Sequence, residues 1–311
     1  MRLIHLFVLI FCSFMPAELI ADILPPPKQV APNCYVWIGP YGPPTQENQG
    51  FRMNLGFVVG TKAVAVIDSG YSDAMAKAML VQIRSITDRP VRYVINTNSQ
   101  PHRILGNSVI RDQGARIVVA KDAIPRIIGE GQAMADTATR ILQLSPGNIQ
   151  APSIPDTGIN EPTNIDLGSI TLKVIPVGTA HTAGSMIVKV IEHNVIYAGD
   201  VLYGGRLLAV LPVSHVDKWI SAIDKLRIHK EALFIPGHGI QGKLSEFENP
   251  TYSYLVTLKE HMDKALDSGT DLQAAIESLD QTRWKNLADF DALAGRNAHQ
   301  TYIEREMAAF E

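Results

Sequence analysis

The stretch Ala63-Val-Ala-Val-Ile-Asp-Ser-Gly70 decides the architecture, because a run of small and β-branched apolar residues passes directly into a polar turn. Such a run, bounded by turn-forming residues, is typical of a buried strand that ends at a loop. Apolar residues at helical spacing then predict a helix over 74–86, with Ser72 as its N-cap. The next predicted elements are a strand over 91–95, a helix over 105–112 and a strand over 115–120. This alternation of strands and helices predicts a layered α/β fold.

The second half of the chain shows the same pattern of strands followed by helices. A hairpin turn is predicted at His193-Asn194, and an amphipathic helix over 216–226 is predicted to have Ser214 as its N-cap. The stretch 144–164 is rich in Pro, Gly, Asn and Ser, which indicates a long surface loop. The remaining predictions are strands over 35–38, 54–59, 170–175, 186–191, 195–197 and 232–235, and helices over 252–268, 272–279 and 301–310.

Length and composition restrict the class of protein. With 311 residues, of which 46% are hydrophobic, the chain can bury a substantial core, and a single large α/β domain is expected. The formal net charge is -3, from 28 basic and 31 acidic residues. This balance gives no electrostatic argument for a nucleic-acid partner or an anionic membrane surface. Small molecules and proteins are therefore the expected partners.

The N-terminus has the pattern of an export signal. Arg2 precedes an almost unbroken apolar run over 3–15, and small residues follow at Ala17 and Ala21. The run is shorter than the roughly 20 residues that a membrane-spanning helix needs. We therefore expect a signal peptide over 1–21, a mature domain over 22–311 without a transmembrane segment, and a periplasmic or secreted protein. A short uncleaved anchor is the alternative.

The two cysteines exclude several kinds of site in the mature chain. Cys12 lies in the apolar run, so cleavage would leave Cys34 alone and no internal disulfide could form. Phe11 stands before Cys12 where a lipoprotein signal has a small residue, which argues against a lipid anchor. Zinc sites with two or three cysteines are excluded as well.

Polar residues of metal-binding type follow several of the predicted strands. His181, Asp200 and His238 each stand next to or near glycine at a strand end, and Asp68 ends the strand described first. Glycine permits a close approach of the backbone, and loops at strand ends are where α/β folds build their sites. Imidazole and carboxylate are ligands typical of zinc. The pattern indicates a site built from several of these loops.

These motifs together resemble those of the metallo-β-lactamase-fold hydrolases over most of the mature chain. The resemblance implies an αββα sandwich, in which two mixed sheets face each other and helices cover both outer faces. The matching stretches, in the family's order and spacing, are Val66-Ile-Asp-Ser-Gly70, Ile95-Asn-Thr97, Leu105-Gly-Asn107, Gly178-Thr-Ala-His-Thr-Ala-Gly184, Tyr197-Ala-Gly-Asp200 and Ile235-Pro-Gly-His-Gly239.

Within that superfamily, the chain is most similar to the periplasmic metallohydrolases of the quinoprotein relay system. The similarity rests on the export signal and on Gly295-Arg-Asn297, which leads to Tyr302 and Glu304. It implies an association with dehydrogenases that use pyrroloquinoline quinone (PQQ), or with their cytochrome partners.

The chain departs from the family at its signature loop, Thr-His-x-His-x-Asp-His-x-x-Gly-Asn. Here the loop reads Thr97-Asn-Ser-Gln-Pro-His-Arg-Ile-Leu-Gly-Asn107. Asn98 and Gln100 stand in place of the first two histidines, His102 in place of the aspartate and Arg103 in place of the last histidine. Neutral amide oxygens are weak zinc ligands beside imidazole, so the first zinc position keeps only His181. β-Lactamase activity is not expected from such a loop.

The resemblance implies that the second metal position keeps Asp200 and His238. His102 becomes a third ligand if the loop turns it inward, so at most one zinc ion is expected. Arg103 argues against that ion, because a fixed positive charge beside a dication is unfavourable. Alternatively, Arg103 pairs with Asp200 and takes the structural place of the metal. Asp68 is expected either to orient a ligand from behind or to cap the following helix.

Two functions follow from these observations. The first is a hydrolase with a remodelled site holding at most one zinc ion, in which Asp200 is catalytic and an ester or thioester is the substrate. In it, Asn98, Gln100 and Arg103 would bind the substrate, Arg103 through its charge. The second is a non-catalytic accessory protein that uses the same cleft to serve a periplasmic PQQ-dependent dehydrogenase or cytochrome. A third reading keeps His181, Asp200 and His238 only as hydrogen-bonded turn residues.

Overall fold

A computed structural model describes residues 23–309 and shows two β-sheets that face each other. The predicted signal segment 1–21 lies outside the described residues. In the first sheet β1 to β4 are antiparallel neighbours and β4 to β7 are parallel ones. Its strands, in sequence and spatial order, are β1 (Lys28–Ala31), β2 (Cys34–Trp37), β3 (Leu55–Val59), β4 (Val64–Ile67), β5 (Val91–Ile95), β6 (Arg116–Ala120) and β7 (Thr157–Ile159).

The second sheet is antiparallel except for one parallel pair at its edge. Its strands are β8 (Thr163–Asp166), β9 (Thr171–Gly178), β10 (Ser185–Val190), β11 (Val195–Tyr203) and β12 (Leu233–His238), in the spatial order β12-β11-β10-β9-β8. The strands β11 and β12 run parallel. In parallel strands the carboxyl ends meet at one edge of the sheet, so the loops after β11 and β12 lie side by side.

The helices cover the outer faces of both sheets, which completes the αββα sandwich. They are α1 (Asp73–Ile86), α2 (Pro101–Ile104), α3 (Asn107–Arg111), α4 (Ile124–Ile141), α5 (Val216–Leu226), α6 (Tyr254–Asp267), α7 (Leu272–Ser278) and α8 (Phe290–Ala308). Among the described residues, none of the helices combines the length and the apolar character that crossing a membrane requires.

Three apolar clusters hold the layers together. The central cluster lies between the sheets and includes Val36, Val58, Val188 and Ile235. A second cluster joins the first sheet to α1, α3 and α4, and a third joins the second sheet to α5, α6 and α8. Burial of apolar surface on both faces of each sheet provides the main stabilisation. The predicted fold class is confirmed.

Several local predictions are confirmed and others are wrong. Ser72 caps α1, because its side chain accepts a hydrogen bond from the Met75 N–H. Ser214 does not cap α5. Instead its hydroxyl donates to the His181 carbonyl, and the first N–H of α5, that of Val216, donates to Glu304 of α8. Tertiary contacts thus replace the local cap.

Helix α4 was not predicted, and the segment 144–164, predicted to be a loop, contains β7 and the first residues of β8. Gly129 and Gly131 lower the helical propensity of α4. Gly131 packs closely against Pro152, since an added Cβ would lie 3.0 Å from the proline ring. The end of the predicted loop is extended by pairing of β7 with β6 and of β8 with β9. Long-range packing decided both segments.

Asn297 joins α8 to the loop that follows β11, and its replacement tests this connection. Its side chain is buried, accepts a hydrogen bond from the Val210 N–H and donates to the Leu208 carbonyl and the Tyr254 hydroxyl. In Asn297→Ala these partners stay buried without it, so we expect a loss of about 2–3 kcal/mol in the free energy of unfolding. Chemical denaturation measures the loss. The exposed Asn164→Ala is the control and should change stability by no more than about 0.5 kcal/mol.

Candidate functional site

The site forms where the carboxyl ends of strands from both sheets meet. Asp68 follows β4 and Thr97 follows β5, and these two strands are parallel neighbours. The Thr97 N–H and hydroxyl both donate to the Asp68 carboxylate, at 2.7 and 2.8 Å. Asp200 in β11 and His238 at the end of β12 come from the other sheet, with 3.5 Å between Asp200 Oδ1 and His238 Nε2. Parallel pairing aligns the residues within each sheet, and the packing of the two sheets brings the two groups together.

Arg103 occupies the centre of this group and is completely buried. Its guanidinium donates to two carboxylates, through Nη1 to Asp68 Oδ2 at 3.1 Å and through Nη2 to Asp200 Oδ1 at 2.6 Å. Nε donates to Asp200 Oδ2 at 3.1 Å. The remaining donors reach the carbonyl oxygens of Asn54 at 2.6 Å and Gly237 at 3.0 Å. All five N–H groups of the guanidinium thus have an acceptor.

The approach of Arg103 to Asp200 depends on a glycine. A Cβ at Gly237 would lie 2.3 Å from Asp200 Oδ1 and 2.7 Å from Arg103 Nη2. Because both atoms belong to buried, hydrogen-bonded groups, neither can move away. The glycine before His238 is therefore needed for the ion pair itself.

The Asp200 carboxylate is saturated by donors from the signature loop. Besides Arg103, its Oδ2 accepts a hydrogen bond from Asn98 Nδ2 at 2.8 Å and lies 3.1 Å from His102 Nε2. A carboxylate offers about four acceptor positions in total. Of the four contacts from Arg103, Asn98 and His102, three fall on Oδ2 and one on Oδ1, and the Tyr203 hydroxyl is a further hydrogen-bond partner of the carboxylate.

Charge and burial oppose each other at the two aspartates. Burial alone would raise the pKa of Asp200, but Arg103 and His102 outweigh it and hold that pKa well below its usual range. Burial raises the pKa of Asp68 to about 6, against the opposing effects of Arg103 and the Thr97 hydrogen bonds. Burial would lower the pKa of Arg103, but Asp200 and Asp68 raise it overall. At neutral pH the core of the site is therefore one cation between two carboxylates.

His238 is held by residues outside the predicted set. Its Nδ1–H donates to the Arg52 carbonyl at 2.9 Å, and the ring of Tyr203 stacks on it with 5.1 Å between centroids. Arg206 Nη1 lies 3.2 and 3.3 Å from the two ring nitrogens. Burial, followed by the charge of Arg206, holds the pKa of His238 well below its usual range. The imidazole is therefore neutral.

His181 packs edge-on against Trp219, with 5.3 Å between ring centroids. One ring nitrogen hydrogen-bonds to the backbone of Ala209, while Nδ1 is buried and has no hydrogen-bond partner in the described part of the chain. Burial lowers the pKa of His181 to about 4, so the ring is neutral. A buried polar atom without a partner is costly.

A cleft of about 240 Å³ opens above these residues. Gln100, His102, His181 and His238 are among its lining residues. Its other lining residues are Pro44, Gly50, Arg52, Tyr71, Pro101, Tyr203, Arg206, Ala209 and Leu211. The fully buried Arg103 and the buried Asn98 are not among them.

Comparison with known proteins decides the family. The profile of the Metallo-beta-lactamase superfamily matches residues 50–238, which include every strand-end residue described above. The chain belongs to the metallo-β-lactamase superfamily. It is also 20% identical to the metallo-β-lactamase type 2 of Bacillus cereus over 192 residues, which cover 60% of this chain and 67% of the relative.

Solved structures of metallo-β-lactamases share the fold of this superfamily member. A metallo-β-lactamase from Pontibacter korlensis matches with a TM-score of 0.57 at 18% identity, over 74% of this chain and 98% of that one. The DIM-1 metallo-β-lactamase matches with a TM-score of 0.58 at 16% identity, over 75% and 99% of the two chains. At such identities the likeness concerns the fold alone.

The superfamily typically binds zinc, and three residues here are candidates to hold a metal ion. Ligand atoms of His102, Asp200 and His238 lie within 4.8 Å of one another. Two imidazoles and a carboxylate are a suitable ligand set. In the arrangement described, however, the acceptor positions of Asp200 are filled, and Arg103 already supplies the compensating positive charge. A zinc ion does not fit unless the guanidinium leaves.

The structure brings some of the predicted site residues together and separates others. It places His102, Asp200 and His238 together, puts Gln100 on the cleft wall, and sets His181 apart from the three possible ligands. Asn98 and Arg103, predicted to bind substrate, face Asp200 from within the protein. Asp68 does not cap the helix but hydrogen-bonds to Thr97 and Arg103, so it holds the cation from behind. The catalytic role of Asp200 stays a prediction.

Sequence reasoning missed three charged residues beside the cleft. Arg52 Nη2 and Arg206 Nε each lie 2.5 Å from Asp289 Oδ2. None of these three residues belongs to a motif recognised in the sequence. Gly204-Gly205, which directly precedes Arg206, was the only local sign, because paired glycines after a strand indicate a turn. Nothing in the sequence around Asp289 shows that it meets Arg52.

Proposed function

We propose that this hydrolase-like member of the superfamily binds a small molecule in its cleft without a metal ion, and that Arg103 takes the structural place of the metal. The proposal rests on the hydrogen bonds of Arg103. All five N–H groups of its guanidinium donate, to two carboxylates and two carbonyl oxygens. A buried charge is tolerated only when it is paired and hydrogen-bonded in this way.

The signature loop supports the same proposal. Its resemblance to the family places Arg103 at a histidine position, and Asn98 and Gln100 at two others. Asn98 Nδ2 donates to the Asp200 carboxylate, whereas a metal would require an acceptor atom pointing inward. Asn98, His102 and Arg103 thus form a hydrogen-bond network around Asp200. A binding function uses the cleft while leaving this network intact.

A second candidate is the remodelled hydrolase with one zinc ion, acting on an ester or thioester. The proximity of His102, Asp200 and His238 favours it, because three such ligands and one open position are the arrangement of catalytic zinc sites. It requires Arg103 to release Asp200 when the metal binds. The two candidates therefore make opposite predictions about metal content.

The cellular role that we propose is that of an accessory protein for a periplasmic PQQ-dependent dehydrogenase or cytochrome. The support is the sequence resemblance, including the export signal and the segment 295–304. In the structure Asn297, Tyr302 and Glu304 hydrogen-bond to neighbouring segments, to Leu208, Thr270 and Val216 respectively. These contacts make the segment a structural element, so the role is tested best by co-purification with such a dehydrogenase.

Elemental analysis of the protein purified with zinc present tests the choice between the two candidates. We expect far less than one zinc ion per chain, and the same low content in His102→Ala and His238→Ala. Turnover of p-nitrophenyl acetate and of an acyl thioester should not exceed that of these variants.

A stoichiometric zinc ion that both histidine variants lose, together with turnover that falls in parallel, would instead establish the one-zinc hydrolase. Asp200→Ala is a less suitable variant, because it deprives the buried Arg103 of its main partner. Circular dichroism of each variant shows whether a loss of metal follows from a loss of folding.

A further inference from the structure

The cleft carries an excess of positive charge at its wall. Arg52 and Arg206 both line it, and both point to one carboxylate oxygen, Asp289 Oδ2, at 2.5 Å. Two guanidinium groups therefore share a single negative charge. Their side chains are only 20% and 13% exposed, so water screens this excess incompletely. Behind this wall Arg103, Asp68 and Asp200 carry one net negative charge, so the positive excess is local to the wall, where an anion in the cleft would meet it directly.

The hydrogen-bonding capacity of these arginines is also incomplete. Arg52 Nε is buried and has no hydrogen-bond partner among residues 23–309. Arg206 Nη1 approaches only the nitrogens of His238, one of which already donates its proton to the Arg52 carbonyl. The planar fork of an arginine matches a carboxylate or phosphate. Both arginines thus retain donors for an acidic group.

A second polar requirement lies at His181. Because the nitrogen that bonds to Ala209 must carry the proton to reach a carbonyl oxygen, the unpartnered Nδ1 presents a lone pair. His181 is 3% exposed and lines the cleft. A ligand that fills the cleft can satisfy this atom only with a hydrogen-bond donor.

The size and the remaining walls restrict the ligand further. The volume of about 240 Å³ lies at or below the lower end of the range for small-molecule sites, which is roughly 300 Å³. Tyr71, Pro44, Pro101 and Leu211 supply flat or apolar walls. The space suits one small, compact molecule.

We propose that the cleft binds a small organic acid whose acidic group contacts Arg206 and Arg52 and whose hydroxyl or N–H group donates to His181 Nδ1. This inference rests on the proposed binding function and names its ligand class. A 2-hydroxy acid with an apolar substituent has all the required groups.

Calorimetric titration with mandelate, phenylacetate and mandelamide tests the inference on the full-length protein. Mandelate carries the acid and the hydroxyl, phenylacetate lacks the hydroxyl, and mandelamide lacks the charge. We expect mandelate to bind with a Kd of about 1 mM or tighter, and each of the other two about tenfold more weakly.

Two variants test which side chains contact the acid and the hydroxyl of the ligand. Arg206→Gln should weaken mandelate and phenylacetate by about tenfold and leave mandelamide nearly unchanged, because only the acids use the charge. His181→Phe keeps a ring against Trp219 and should remove the preference for mandelate over phenylacetate. Arg227→Gln, at an exposed arginine with two carboxylate partners, is the control and should change nothing.

Equal binding of the three compounds, or no saturable binding of mandelate, overturns the ligand class. Mandelate binding that EDTA abolishes would instead contradict the metal-free function and leave the ligand class standing. Melting temperatures of the variants identify any that fail to fold, and in that case Arg52→Gln replaces Arg206→Gln in the same comparison.

Discussion

Arg103→Met is expected to lower the free energy of unfolding by about 3–5 kcal/mol, the range found when one partner of a buried ion pair is removed. Methionine fills part of the volume but leaves Asp68 and Asp200 buried side by side without their cation. The carbonyl oxygens of Asn54 and Gly237 lose their donor as well. Urea denaturation followed by circular dichroism measures the loss.

The matched control is Arg227→Met on the surface. Arg227 also pairs with two carboxylates, Asp224 and Glu248, but its side chain is 45% exposed. Surface ion pairs contribute about 0–1 kcal/mol, so this change should cost no more than that. Similar losses in the two variants would show that the Arg103 network is not a stabilising core of the site.

Arg103→His is expected to create zinc binding in a protein that otherwise lacks it. The change removes the guanidinium from Asp200 and adds an imidazole at the position where the family's signature has one. His102, Asp200 and His238 are already within ligand distance of one another. At a zinc concentration 100 times Kd, binding to the folded state stabilises it by about 2.7 kcal/mol, which appears as a rise in melting temperature.

Two comparisons make the result specific. Arg103→Met removes the same charge without adding a ligand and should gain less from zinc. Adding His238→Ala to Arg103→His should abolish the gain, because a ligand is lost again. If the unaltered protein shows the same zinc-dependent rise as Arg103→His, the guanidinium does not exclude the metal and the one-zinc hydrolase becomes the better description.

The charges around Arg103 explain why such an exchange is possible within one fold. A dication carries two positive charges and a guanidinium carries one, and either ion placed between Asp68 and Asp200 offsets buried negative charge. Arginine additionally donates to the backbone of two loops, which fixes the loops as metal ligation would. The guanidinium lacks an exchangeable coordination position, so a site in which it replaces the metal has no metal-bound water.

The sequence by itself determined the architecture and the position of the site. Apolar runs ending in Asp68, Asp200 and His238 mark strand ends, and the family resemblance of these motifs implied that they share one site. The strands belong to two different sheets, so the packing of the sheets is what brings them together. The unusual signature loop could also be recognised in the sequence, because it lies in one continuous stretch from Thr97 to Asn107. Local periodicity and motif spacing are properties of short segments, and short segments are what a sequence displays directly.

Only the tertiary structure decided between the alternatives for Arg103. An arginine at that position can face solvent, a substrate or Asp200. It faces Asp200 only if acceptors for its five N–H groups surround it there. Asn54 and Gly237, which are distant in the sequence, supply two of these acceptors. The arrangement of charges at the cleft could not be predicted from the sequence either, since Asp289 contacts Arg52 across a separation of 237 residues. Contacts between such distant positions leave no periodic pattern, because they arise from packing of whole layers and not from the order of neighbouring residues.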